Sequence, residues 1–106
     1  MWDGKQKAVT FSYDDGVCQD RRLVAMFNYY HVKATFNINS GMQTYASHYD
    51  FGNVRVHHMN AEGLKELYKG HEIAVHTLTH QDLTKLDKDT VYNEVFLDKQ
   101  NLERMF

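Results

Sequence analysis

The chain has 106 residues, 42% of them hydrophobic and 25% charged. That is the make-up of one soluble globular domain with about 6,000 Å² of folded surface, and no apolar run reaches the roughly 18 residues of a membrane helix. Twelve basic against fourteen acidic residues give a net charge of −2 with no Lys/Arg block, so a nucleic-acid backbone has no electrostatic footprint. Neither nucleic acid nor membrane is an expected partner. The single Cys18 excludes an intramolecular disulfide. The segment from Met1 to Lys5 has neither a basic nor an apolar leader region, so the expected location is cytoplasmic as written, and secreted or cell-surface if upstream residues were removed. Seven dispersed histidines stand out, because histidine is the commonest metal ligand.

No internal repeat, low-complexity run or linker interrupts residues 1–106, which read as a single partial domain. Lys7 to Tyr13 (KAVTFSY) is β-branched and aromatic and ends at Asp14-Asp15-Gly16: a strand entering a turn. Asp20 to His31 places Leu23, Met26, Phe27 and Tyr30 at i, i+3, i+4 and i+7, an amphipathic helix. Lys33 to Asn39 (KATFNIN) is a second strand. Ser40 to Met59 has no clean periodicity beyond a short Val54-Arg55-Val56 strand, and is either a functional loop or a small hairpin. Its Tyr45, Tyr49, Phe51, His48, His57 and His58 suit either a substrate-facing surface or a buried excursion.

Asn60 is positioned to cap a helix carrying Leu64, Leu67 and Tyr68 that ends at Gly70. Glu72 to His76 is a third strand, and Lys88 to Met105 a long helix with Val91, Val95 and Leu102 on one face and Tyr92 and Phe96 beside it. Strand and helix alternate three times. The expected fold class is therefore α/β, with about three parallel strands alternating with helices. In such sheets sites gather at the carboxyl ends of the strands, which here carry Asp14-Asp15, Asn37 to Asn39 and His76.

His76-Thr77-Leu78-Thr79-His80 sets two imidazoles four residues apart. A helical turn there would point both rings at one ion, at the ~2.0 to 2.1 Å of Zn–N bonds. Taken alone, an HxxxH pair is a weak signal among seven histidines. Asp14-Asp15 in a strand-to-loop turn can send one carboxylate to a metal and the other to water or substrate, or be a solvated Asp-Asp-Gly turn. Together, at the carboxyl ends of one sheet, Asp plus two His make a facial metal site.

Ser12-Tyr13-Asp14-Asp15-Gly16 resembles the [ST]-[FY]-D-D-G motif of the polysaccharide deacetylase family (carbohydrate esterase family four). His76-Thr77-Leu78-Thr79-His80 resembles its H-[ST]-x-x-H motif, and Lys33-Ala34-Thr35-Phe36 the K-A-T-F strand between them. The resemblance implies that Asp15, His76 and His80 bind a divalent metal, usually zinc, and that Asp14 is the general base. It implies hydrolysis of N- or O-acetyl groups on an acetylated glycan or amino sugar by a water activated at the metal.

The family's fold is a distorted (β/α) barrel, so the expected architecture is a partial barrel covering about the first half of that domain. The family's Arg, Asp/Trp and Leu-x-His motifs, the last supplying the general acid, have no counterpart: after His80 there is only Arg104 and no histidine. Little or no turnover is expected of this chain alone, with either association of copies through the open sheet edge or poor stability of the lone chain. Two other readings remain: an amide hydrolase for a small non-sugar N-acyl or cyclic amide, and a non-catalytic metal- or glycan-binding fragment.

The remaining candidates carry less. His71 is read as a loop residue, because odd separations in a strand face opposite ways. His57 and His58 are expected to be solvated, His31 to favour a helix dipole, and Arg21 and Arg22 to be solvent-facing. Cys18 has no sequence-adjacent histidine to activate it. Asn37 and Asn39 are placed to bind substrate, to support Asp14 or to cap the loop, and Thr77 to orient a ligand histidine.

Overall fold

The structure, a computed structural model, describes residues 2–106, so Met1, where the 1–106 reading begins, lies outside the described residues. The chain forms β1 (Ser12–Asp14), α1 (Asp20–Tyr29), β2 (Thr35–Ile38), β3 (His48–Phe51), β4 (Val54–His57), α2 (Leu64–Leu67), β5 (Glu72–Val75) and α3 (Lys88–Met105). Strands β1, β2 and β5 make a parallel sheet in that order, Tyr13 opposite Phe36 and Phe36 opposite Ile73. Three parallel strands alternate with helices, and among the described residues no barrel closes.

The central strand organises the core. Phe36 and Ile38 are fully buried and Ala34 nearly so, while Thr35 and Asn37 alternate to the less buried side, the period-two pattern of a pleated strand. Val24 of α1, Leu64 of α2, Tyr68, Met59 and Leu102 of α3 close over them. His71 is a clamp rather than a free loop residue: its Nδ1 accepts from Ala34 N at 3.2 Å and its Nε2 donates to Asn28 Oδ1 at 2.8 Å.

Three sequence expectations change. The first strand is three residues, not seven, because Ala8 to Thr10 find no ladder partner and are exposed, Val9 at 80%. Helix α2 is a single turn entered through Gly63 at φ 84°; Asn60 does not cap it, and its Oδ1 instead accepts from Tyr45 N at 2.8 Å. The irregular stretch, by contrast, holds the small hairpin that is one of its two readings, antiparallel β3 to β4 turning at Gly52 (φ 58°).

The third change is the face of α3. Glu94, Asp98 and Leu102 are buried, whereas Val95, expected inside, is 42% exposed beside Tyr92 and Phe96. The helix turns its carboxylates inward because the loop after β5 presents unpaired backbone N–H groups that need acceptors. Asp98 Oδ2 accepts from His76 N at 2.9 Å and Asp98 Oδ1 from Ser40 N at 2.7 Å.

Candidate metal centre

The first carboxylate pair leaves the sheet where β1 ends. Asp14 closes the strand and Asp15 turns away at φ 80°, its N–H donating to Asn37 O at 2.8 Å and its carbonyl accepting from Gln43 Nε2 at 2.9 Å. A non-glycine residue at positive φ costs roughly 1 to 3 kcal/mol and persists only where surroundings fix it. Gly16, buried next to it at φ 67°, has no room for a Cβ, which would lie 2.7 Å from Gln43 Oε1. The turn sends the two carboxylates different ways: the Asp14 side chain stays 57% exposed and that of Asp15 only 17%.

The histidines come from the loop after β5. The expected helical turn is not there: residues 77–80 form an irregular bend with Thr77 at φ 70° and His80 at φ 55°. The bend is braced at each step. Asn39 Nδ2 donates to the carbonyls of His76 and Thr77, and Thr77 Oγ1 accepts from His80 N at 3.1 Å. Leu78 N donates to Glu94 O at 2.9 Å, and the Glu94 carboxylate accepts from Thr79 N at 2.9 Å and Thr79 Oγ1 at 2.8 Å. Gly41 packs against this bend so closely that a Cβ there would lie 2.6 Å from Leu78 O.

The result is one cluster. Asp15 Oδ1 lies 3.4 Å from His76 Nε2 and 3.5 Å from His80 Nε2, and Asp14 Oδ2 lies 4.0 Å from His76 Nε2. Asp15, His76 and His80 each offer a ligand atom within 4.8 Å of the other two. Asp15 Oδ1 is buried without a hydrogen-bond donor, while Asp15 Oδ2 accepts from Tyr49 OH at 3.2 Å. A buried carboxylate oxygen with no donor, facing two imidazole nitrogens, fits a divalent cation, and one carboxylate with two imidazoles is a donor set suited to zinc.

Asn37 does support Asp14: its Nδ2 donates to Asp14 Oδ1 at 2.8 Å and also to Ser12 Oγ at 2.8 Å. Thr77 reaches His80 through the backbone, not the ring. Cys18 Sγ points to His58 O at 3.6 Å, away from any nucleophilic role.

His58, expected to be solvated, is 2% exposed, held by Ser47 O through Nδ1 at 3.2 Å. With Asp15, Met42, Tyr49, Thr79 and His80 it lines an open cleft of about 330 Å³ beside the cluster. Tyr49 titrates above the ordinary tyrosine range, through burial first and then the charge of Asp15. Sequence reasoning missed Asp98 and Glu94; the signal was there, since Asp98 and Glu94 interrupt the apolar positions of α3 at helical spacing.

No match was found among curated proteins. Among solved structures the chain is similar to the Streptococcus pyogenes deacetylase PplD in complex with acetate, with a TM-score of 0.77 and 22% identity, over 96% of this chain. It spans 42% of that chain, and the likeness shows a shared fold. No helix among the described residues is long and apolar enough to cross a membrane. The family model for polysaccharide deacetylase matches residues 2–106, and the chain belongs to that family.

Proposed function

We propose that this chain carries the metal and base half of a hydrolase that removes acetyl groups from an acetylated glycan or amino sugar. Asp15, His76 and His80 would hold a divalent cation, most readily Zn²⁺, and Asp14 would act as general base. The observation that carries the reading is Asp15 Oδ1, buried without a donor and 3.4 and 3.5 Å from two imidazole nitrogens. Bound there, such a cation supplies Lewis acidity, acidifying water and polarising an acyl oxygen.

The protein's own groups do the rest. Asn37 occupies Asp14 Oδ1 at 2.8 Å, leaving Asp14 Oδ2, on the cluster side, free to take a proton from water. The water oxygen bonds to the acetyl carbon, the bond from that carbon to the sugar nitrogen or oxygen breaks, and the proton passes to the departing atom. Acetate and a free amine or hydroxyl result. Tyr49 holds Asp15 Oδ2 and so fixes which oxygen faces the histidines.

Elemental analysis of protein purified without chelator tests the metal half: about one ion per chain is expected, and less than a tenth of that in His76→Ala. Acetate release from an N-acetylated oligosaccharide, compared with a small N-acyl amide, tests the chemistry, with Asp14→Asn slower by about 100-fold or more. Metal content unchanged by His76→Ala would overturn the ligand assignment, and acetate release unchanged by Asp14→Asn would overturn the base.

A further inference from the structure

The hairpin carries a second pair of imidazoles that the cluster at Asp15 does not use. His48 and His57 stand opposite each other on β3 and β4. The neighbouring Ser47 and His58 are hydrogen-bonded, His58 N donating to Ser47 O at 3.0 Å. His48 and His57 are therefore a non-hydrogen-bonded pair, the type in which facing side chains come closest. Tyr49, the next residue, points to the other face of the strand and to Asp15.

Each ring is oriented through its own Nδ1. His48 Nδ1 donates to Ala46 O at 3.0 Å and His57 Nδ1 to Tyr45 O at 2.8 Å. A carbonyl oxygen only accepts, so each neutral ring carries its proton on Nδ1 and its lone pair on Nε2. This is how metal-ligating histidines are held, with the second ring nitrogen donating to a carbonyl or carboxylate. The plane of His57 is fixed further by stacking on Tyr45, 4.1 Å between centroids and 5° between planes. Asp50, two residues along the same strand face, is engaged by Arg55 Nε at 3.0 Å, so neither imidazole is taken by it.

The spacing matches a bridging ion. A tetrahedral ion about 2.05 Å from each Nε2 stands about 3.2 Å from each ring centroid, which separates the centroids by about 5.2 Å. The His48 and His57 centroids are 5.3 Å apart, against 5.0 Å for His76 and His80. We propose that His48 and His57 form a second metal site, a two-imidazole clip across the hairpin for a borderline divalent transition metal such as Zn²⁺, Ni²⁺ or Cu²⁺. Two nitrogen ligands, with water completing the shell, select against the hard, oxygen-seeking Mg²⁺ and Ca²⁺. The ion would fasten the two strands that deliver Tyr49 to the cluster.

The test is calorimetric titration of Zn²⁺ into the His76→Ala/His80→Ala double variant, which removes the cluster at Asp15 and leaves the hairpin intact. One Zn²⁺ per chain should still bind on titration, weakly enough to be lost during purification, and adding His48→Gln, an exposed position, should weaken it at least tenfold. His57→Gln should do the same, and Mg²⁺ should give no heat of binding. Absence of Zn²⁺ binding by the double variant at 100 µM would overturn the proposal. So would an affinity unchanged by both His48→Gln and His57→Gln. Because the cluster at Asp15 is already disabled, neither result bears on the deacetylase reading.

Discussion

Asp20 is a carboxylate whose ionisation works against the fold. It opens α1 yet is 4% exposed, with Oδ2 accepting from Tyr68 OH at 2.6 Å. Its pKa rises from 3.8 to about 6, chiefly through burial, with the charges of Asp15 and Asp14 adding to the rise and the Tyr68 hydrogen bond opposing it. A carboxyl that binds its proton more tightly folded than unfolded stabilises the fold while protonated. That contribution is complete below pH 3.8 and is lost as pH rises through about 6. Roughly two pKa units correspond to about 3 kcal/mol in all, of which about 2 kcal/mol is lost between pH 4.5 and 7.5.

Asp20→Asn keeps the shape and an acceptor for Tyr68 and does not titrate. The assay is urea unfolding of parent and variant at both pH values with chelator present, since a cation near Asp15 would offset the carboxylate charges. The stability of the parent relative to Asp20→Asn should fall by about 2 kcal/mol from pH 4.5 to 7.5. Any constant packing effect of the amide group cancels in that difference. A difference that stays level within about 0.5 kcal/mol, beyond the error of such extrapolations, would refute the reasoning.

Two further substitutions probe the supports of the cluster. Tyr49→Phe removes only the hydroxyl on Asp15 Oδ2 and should weaken Zn²⁺ binding about tenfold in a competition titration, with the thermal midpoint nearly unchanged; full affinity would show that Tyr49 does not orient Asp15. Asp98→Ala strips acceptors from Ser40 N and His76 N in a fully buried setting and should cost about 3 kcal/mol in urea unfolding. A loss below about 1 kcal/mol would mean that the carboxylate does not brace the loop.

Much of this was legible in the sequence because it rests on local pattern. The order of strands and helices follows from hydrophobic period, and Asp14-Asp15, Asn37 and His76 to His80 end where α/β strands end. What was not legible depends on partners distant in the chain. Seven residues from Lys7 to Tyr13 have strand propensity, yet a ladder needs an adjacent strand, and β2 supplies one only from Thr35 onward. Val95 has the spacing of a core residue, but α3 rotates to bring Asp98 and Glu94 to the backbone donors of residues 76 to 79. His58 looked solvated beside His57, and strand alternation sends one inward and leaves the other on the hairpin surface.

The cluster is held by strain matched to specific braces. Asp15, Thr77 and His80 all adopt positive φ, which for a β-branched residue such as Thr77 is a marked outlier. Each is pinned by a group from another element or its own bend: Gln43 on the carbonyl of Asp15, Asn39 on that of Thr77, and Thr77 Oγ1 on the N–H of His80. The histidine bend also hangs from α3 through Asp98 and Glu94. With α3 undocked, His76 N and Thr79 N lose their acceptors, and the bend that carries the two imidazoles is left with Asn39, Gly41 and its own Thr77 contact. Any cation that binds Asp15, His76 and His80 together therefore binds the docked state more tightly and stabilises α3 against the sheet by mass action. Metal affinity at this site and the stability of a helix that contributes no ligand to it are thereby linked, each raising the other.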